Sequence, residues 1–175
     1  MRKLLLYNFT ILALVIITGI LGCSKDEDLS SVKIDGAEYV LNNAIVENFG
    51  WVKNGSYNFD ITAYSDEIGY STFFKALDGT GQVLSIQLFS SEENVMEKGN
   101  YSFDATNTYN AGTFNASAFY VDYNTADKTF DQQFKLTEGT FTLAKEGEKY
   151  RIKLTGKVND KIITANLLLT VLYIE

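Results

Sequence analysis

The sequence predicts an all-β protein, a single antiparallel β-barrel or β-sandwich of about 8 to 10 strands with one short helix near residues 91–97. Three observations carry that expectation. Apolar residues recur with a period of two along most of the chain, the pattern of half-buried strands. Turn dipeptides separate these runs: Asp35-Gly36, Asn54-Gly55, Asp78-Gly79, Glu146-Gly147 and Asn159-Asp160. The last long run, Ile162 to Ile174, carries no charge and is apolar on both parities, as a strand covered on both faces would be.

The elements follow in chain order. Arg2 and Lys3 open the sequence, and no further charge appears until Lys25. The apolar run between them reads as a secretory signal peptide over residues 1–22. Its end, Ile20-Leu21-Gly22-Cys23, resembles the bacterial lipobox, in which the cysteine is acylated and becomes the first mature residue. That resemblance implies a lipid membrane as partner through Cys23, since each buried methylene adds about 0.8 kcal/mol to anchoring. Ser24, Lys25, Asp26, Glu27 and Asp28 resemble the surface-export signal of Bacteroidetes lipoproteins, which implies an outer-membrane location facing the cell exterior. Residues 23–31 then form a flexible acidic tether, and 32–175 form one β domain with no repeat and no second domain.

Within that domain Tyr57, Phe59, Ile61 and Ala63 alternate with polar residues, as do Leu84, Ile86 and Leu88. Tyr150, Ile152 and Leu154 alternate with Lys149, Arg151 and Lys153, the cleanest strand pattern of the chain. Ser90-Ser91-Glu92-Glu93 has the form of a capping box, which together with Gly99 predicts the short helix. Gly99-Asn100-Tyr101-Ser102-Phe103 starts the next strand. Phe134 and Leu136 sit on even positions but Phe141 and Leu143 on odd ones, so a bulge or tight bend is expected at Glu138-Gly139. The uncharged Ile162–Ile174 run is expected to be central or barrel-closing, because an exposed edge of this composition invites association.

Composition narrows the chemistry. The 175 residues hold 15 Lys and Arg against 22 Asp and Glu, a formal charge of -7. Loss of residues 1–22 removes two cations, leaving 13 against 22 and a charge of -9 on 153 residues. Such a domain repels phosphate backbones, so nucleic acid is not an expected partner. There is no histidine, which excludes Ser-His-Asp and Cys-His catalysis and removes the commonest metal ligand. The single cysteine is assigned to lipid. Neither a metal nor another cofactor is expected. Paired carboxylates can hydrolyse glycosides, but Asp60, Asp66, Glu67, Asp104, Asp122 and Asp127 show no pairing by spacing. Asp122, Asn124, Asp127 and Asp131 offer oxygen ligands without the setting of a calcium loop. Lys149, Arg151, Lys153 and Lys157 form a basic stripe that reads as a solvated strand face.

The most suggestive stretch runs from Tyr101 to Asn124, where aromatics alternate with asparagines. Tyr109, Tyr120 and Tyr123, with Asn110 and Asn124, are candidates to stack on sugar rings and bond their hydroxyls. Trp51, in the Asn48–Gly55 hairpin loop, is a second aromatic platform. Phe103, Phe114 and Phe119 are expected in the core.

The whole layout is similar to small Bacteroidetes surface lipoproteins of uncharacterised function. It comprises the lipobox with its acids, VKIDGAEYVLNNAIVENFG, GNYSF and the closing EGTFTLAKEGEKYRIKLTGKVNDKIITANLLLTVLYIE. The resemblance implies an all-β, calycin-like lipoprotein domain and carries over no catalytic residue. The functional expectation is a non-catalytic binding or interaction module, with glycans or a protein ligand as partner. A structural subunit of an envelope assembly is the alternative, and a carboxylate-dependent hydrolase the third reading.

Overall fold

A computed structural model describes residues 30–174. The signal peptide, Cys23 and the Ser24–Asp28 export signal lie outside the described residues. The described residues are all-β, with thirteen strands: β1 (Ser31–Ile34), β2 (Ala37–Val40), β3 (Asn43–Trp51), β4 (Tyr57–Tyr64), β5 (Ile68–Ser71), β6 (Ala76–Ser90), β7 (Gly99–Phe103), β8 (Thr113–Asn124), β9 (Gln132–Lys135), β10 (Glu138–Glu146), β11 (Lys149–Val158), β12 (Lys161–Leu169) and β13 (Val171–Ile174). That is more than the 8 to 10 expected, because several runs break into short strands with different partners. The sheet also starts earlier than the tether assignment implied. Ser31 is already in β1, and the Ser30 hydroxyl bonds both the N–H and the C=O of Leu168.

The ladder runs β13-β3-β4-β6-β8-β7-β10-β11-β12-β1-β2, with β5 attached to β6 and β9 to β8. Only Thr170 separates β12 from β13, yet β12 lies third from one end of the ladder and β13 at the other. The sheet must therefore curl until those two regions meet, and the result is a half-barrel. The ladder itself stays open, and the chain bridges its two sides through the β12–β13 bend.

Two pairings are parallel, which departs from a purely antiparallel expectation. β13 runs parallel to β3, and β7 to β8 over two residue pairs. Parallel neighbours need a connection that carries the chain back along the strand. For β7 and β8 that connection is the segment 104–112, which therefore crosses over one end of the sheet.

Inward residues fill the curl. Phe59, Ile61, Leu84, Ile86, Leu88, Phe114, Phe119, Phe141, Ile152, Leu154, Ile163 and Leu167 are all buried in one cluster. β8 keeps both Phe114 and Phe119 in that core by a bulge, where Ala116 takes φ 43° and the register to β6 shifts. The parity change after Leu136 comes from the second of the two expected devices, a bend at Thr137 rather than a bulge. β9 and β10 are separate strands, and the chain changes partners between them. Gly139 serves close approach there: a Cβ would stand 2.6 Å from the Thr155 carbonyl oxygen and 2.9 Å from the Gly156 Cα.

Two local expectations are overturned. No helix forms at 91–97. A capping box needs the Ser90 hydroxyl to accept from residue 93, but it accepts instead from the N–H of Glu92 and of Glu97 and donates to the Val95 carbonyl. One hydroxyl thus closes a tight loop that drives Met96 into the core. Asp78-Gly79 is not a turn either but lies inside β6. Gly79 lets the Glu67 carbonyl approach where a Cβ would collide with it. The reversal between β5 and β6 falls at residues 72–75.

A second apolar cluster occupies the outer face. Ile45, Tyr64, Ile68 and Val83 pack there with Tyr70, Leu77, Tyr120, Tyr123 and Ile174, and the β5–β6 hairpin covers them.

Candidate functional site

One end of the half-barrel carries a rigid group of aromatic and amide side chains. It is built from the β3–β4 hairpin loop and the 104–112 crossover. Asn54 and Gly55 both take left-handed φ (62° and 70°), which turns the hairpin and lifts Trp51 and Lys53 to its rim. Trp51 is the last residue of β3, paired with Tyr57, and is 67% exposed. Phe49, at the β3 bulge, is 57% exposed. Neither ring belongs to the core.

The crossover is organised by Asp104. Its Oδ1 accepts from the Thr106 N–H (3.0 Å) and hydroxyl (2.8 Å). Its Oδ2 accepts from the Thr108 N–H (2.6 Å) and hydroxyl (2.7 Å), and from the Tyr109 N–H (3.1 Å). Desolvation pushes this carboxyl up, but the bonds from Thr108, Thr106 and Tyr109 outweigh it and hold the group far below the usual carboxylate range.

That cage holds a backbone that would not persist unaided. Tyr109 has φ 59°, a left-handed value that a bulky residue rarely adopts. The two loops are then locked together. Ser56 donates its hydroxyl to the Tyr109 carbonyl, and the Asn54 side-chain amide donates to the Thr108 carbonyl (2.8 Å) and to Asn110 Oδ1 (3.3 Å). The Tyr109 ring meets Phe89 edge-on, with centroids 5.1 Å apart, and Lys53 Nζ lies 4.7 Å from its centroid. Strained, over-determined backbone of this kind concentrates at functional sites.

Three of the six predicted ligand residues therefore share one end: Trp51, Tyr109 and Asn110. Tyr120, Tyr123 and Asn124 do not join them. Along β6 the partner of Tyr120 is Val83 and the partner of Thr113 is Phe89, a separation of about 20 Å at a strand's rise per residue. Tyr120 meets Tyr123 at a tilt and Phe130 edge-on, both with centroids 5.3 Å apart, and accepts a bond from Gln133, so it belongs to the outer cluster. Asn124 Oδ1 accepts from the N–H groups of Ala126 and Asp127 in a turn. Tyr123 lines a cleft of about 290 Å³ with Tyr70, Leu77, Lys128 and Ile174. The sequence signal misses Lys53, Asn54 and Asp104, which become neighbours of the platform only when the two loops meet.

The remaining charged features lie elsewhere. Asp60 faces the outer side opposite Glu47, and burial raises its pKa, with Gln87 bonding lowering it and Glu47 raising it further. In the basic strip, Arg151 forks onto Glu146 (2.7 and 3.1 Å) and Lys157 pairs with Glu138. Among the described residues no three acidic or cysteine side chains gather as a metal site.

Comparison with protein-family models, with curated proteins and with solved structures finds no match for this chain.

Proposed function

We propose that this protein is a non-catalytic binding module that holds a carbohydrate at the end of the half-barrel that carries Trp51, and that Cys23 anchors it by lipid to the outer membrane. The observation that carries the ligand reading is the left-handed Tyr109 backbone held in place by Asp104, Ser56 and Asn54. A platform fixed before the ligand arrives avoids the ordering cost of binding. Trp51 offers an exposed apolar face for a sugar ring, and the Lys53 ammonium in the same hairpin loop offers a donor for its hydroxyls. The anchoring reading rests on the lipobox-like Ile20–Cys23 and the acids behind it.

Trp51 is the only tryptophan, so its fluorescence reports on the platform directly. Titration with a panel of glycans is expected to shift or quench that emission for one glycan class and to raise the melting temperature. Trp51→Ala should abolish the thermal shift while changing stability by less than about 0.5 kcal/mol, as exposed positions do. Glycan binding that survives Trp51→Ala, or a panel with no binder, refutes the proposal. The assembly reading draws support from the exposed Ile162, Leu172 and Tyr173 on the last two strands. Concentration-dependent oligomers in sedimentation, with no glycan binder, would favour it.

A further inference from the structure

The turn between β5 and β6 presents Phe73 and Phe74 to solvent, 87% and 76% exposed. Nothing in the fold needs them there: the two rings touch each other edge-on, at 4.9 Å, and neither joins the two apolar clusters. An acidic protein that projects two adjacent phenyl rings into water marks a contact with something apolar. The tip is also firmly held. Ile68 is buried in the outer cluster, Tyr70 and Leu77 pack against it, and Ser71 pairs with Ala76 across the base of the turn. The Phe74 N–H is satisfied by the Ser71 hydroxyl. Such a turn can enter an apolar medium without stranding that backbone donor.

Its position indicates the medium. Thr72 and Lys75, on either side of the phenyl pair, line a cleft with Leu172 and Tyr173 of β13. Ser30, where the described chain begins, is bonded to Leu168, four residues before Leu172. The described chain thus begins beside the end of β12, and β13, which follows the bend, borders the tip. Cys23 stands seven residues before Ser30, a reach of at most about 25 Å. The Trp51 end of β3 lies farther along the strands, beyond the residues that pair with β13.

We propose that the Phe73–Phe74 turn is a membrane-contact element that settles into the interfacial layer of the bilayer to which Cys23 is anchored. This inference rests on the lipid-anchor reading above. Aromatic rings favour the headgroup level of a bilayer, and a second apolar contact reinforces a lipid anchor.

The test uses the full chain made in a lipidating bacterial host and reconstituted into phosphatidylcholine vesicles. In a Trp51→Phe background, Phe74→Trp puts the sole indole at the tip. Blue-shifted emission, quenched when the vesicles contain brominated lipid, is the expected result. A chain that floats with the vesicles but whose indole is unshifted and unquenched overturns the proposal and leaves the anchor standing. A chain that does not float and carries no acyl group on Cys23 overturns both. Mass spectrometry of the N-terminal peptide separates those two failures. Because both rings are exposed, Phe73→Ser with Phe74→Ser should melt as the parent does while losing protection of Lys75 from trypsin on vesicles. Unchanged protection also counts against the tip.

Discussion

Five donors converge on the Asp104 carboxylate, and they decide the shape of the platform. Replacing it by Ala leaves these donors to water or to nothing, at a cost of about 2 to 4 kcal/mol. The loss should appear in urea denaturation. The pH dependence has a definite sign. The folded carboxyl titrates below its unfolded value near 4, so its contribution is present above that value and is lost as pH falls through the folded one. Asp104→Asn should therefore flatten the acid limb of the stability curve, and a limb unchanged by it would refute the assignment. In the sequence, Asp104 stands among threonines and asparagines and reads as one scattered acid among several. Its role depends on a loop that closes back on it, and local pattern does not encode that closure.

At the scale of elements, the strand alternations and the glycine turns were legible because one face of each strand had to be apolar. The 91–97 segment was not. Its Ser-x-x-Glu pattern suits a helix start, yet the few residues available do not repay helix nucleation, whereas Ser90 satisfies three backbone groups at once. Ser90→Ala should cost about 2 kcal/mol and release Met96 from the core, read by thermal melting and by faster amide exchange at Glu92 and Glu97. No change in that exchange would mean that the loop is held by something else. The β7–β8 parallel pairing was equally hidden, since it needs a crossover whose length gives no sign of its path.

For the whole molecule, one apolar cluster links strands from β1 to β12, so unfolding should be a single transition. Its alkaline limit is set in part by the buried phenol of Tyr101. Burial pushes Tyr101 up to about 12, with the Glu97 charge adding to it. A raised folded value means that the contribution is complete below the unfolded value near 10 and is lost as pH rises through the folded one. Melting temperature should therefore fall once pH passes about 10, less steeply in Tyr101→Phe. An identical alkaline slope in that variant would count against the buried phenol.

The sequence alone determined the all-β class, most hairpin turns and the apolar parity of the strands. These follow from constraints acting over two to five residues. It also pointed to Trp51, Tyr109 and Asn110, because exposed aromatics and amides are local signals. Only the tertiary structure decided that these three share an end while Tyr120, Tyr123 and Asn124 serve another. The parallel pairings and the curl that joins β12 to β13 were also its decision. Residues far apart in the chain meet through register and crossover, and the free energy of those meetings comes from packing that no short window contains.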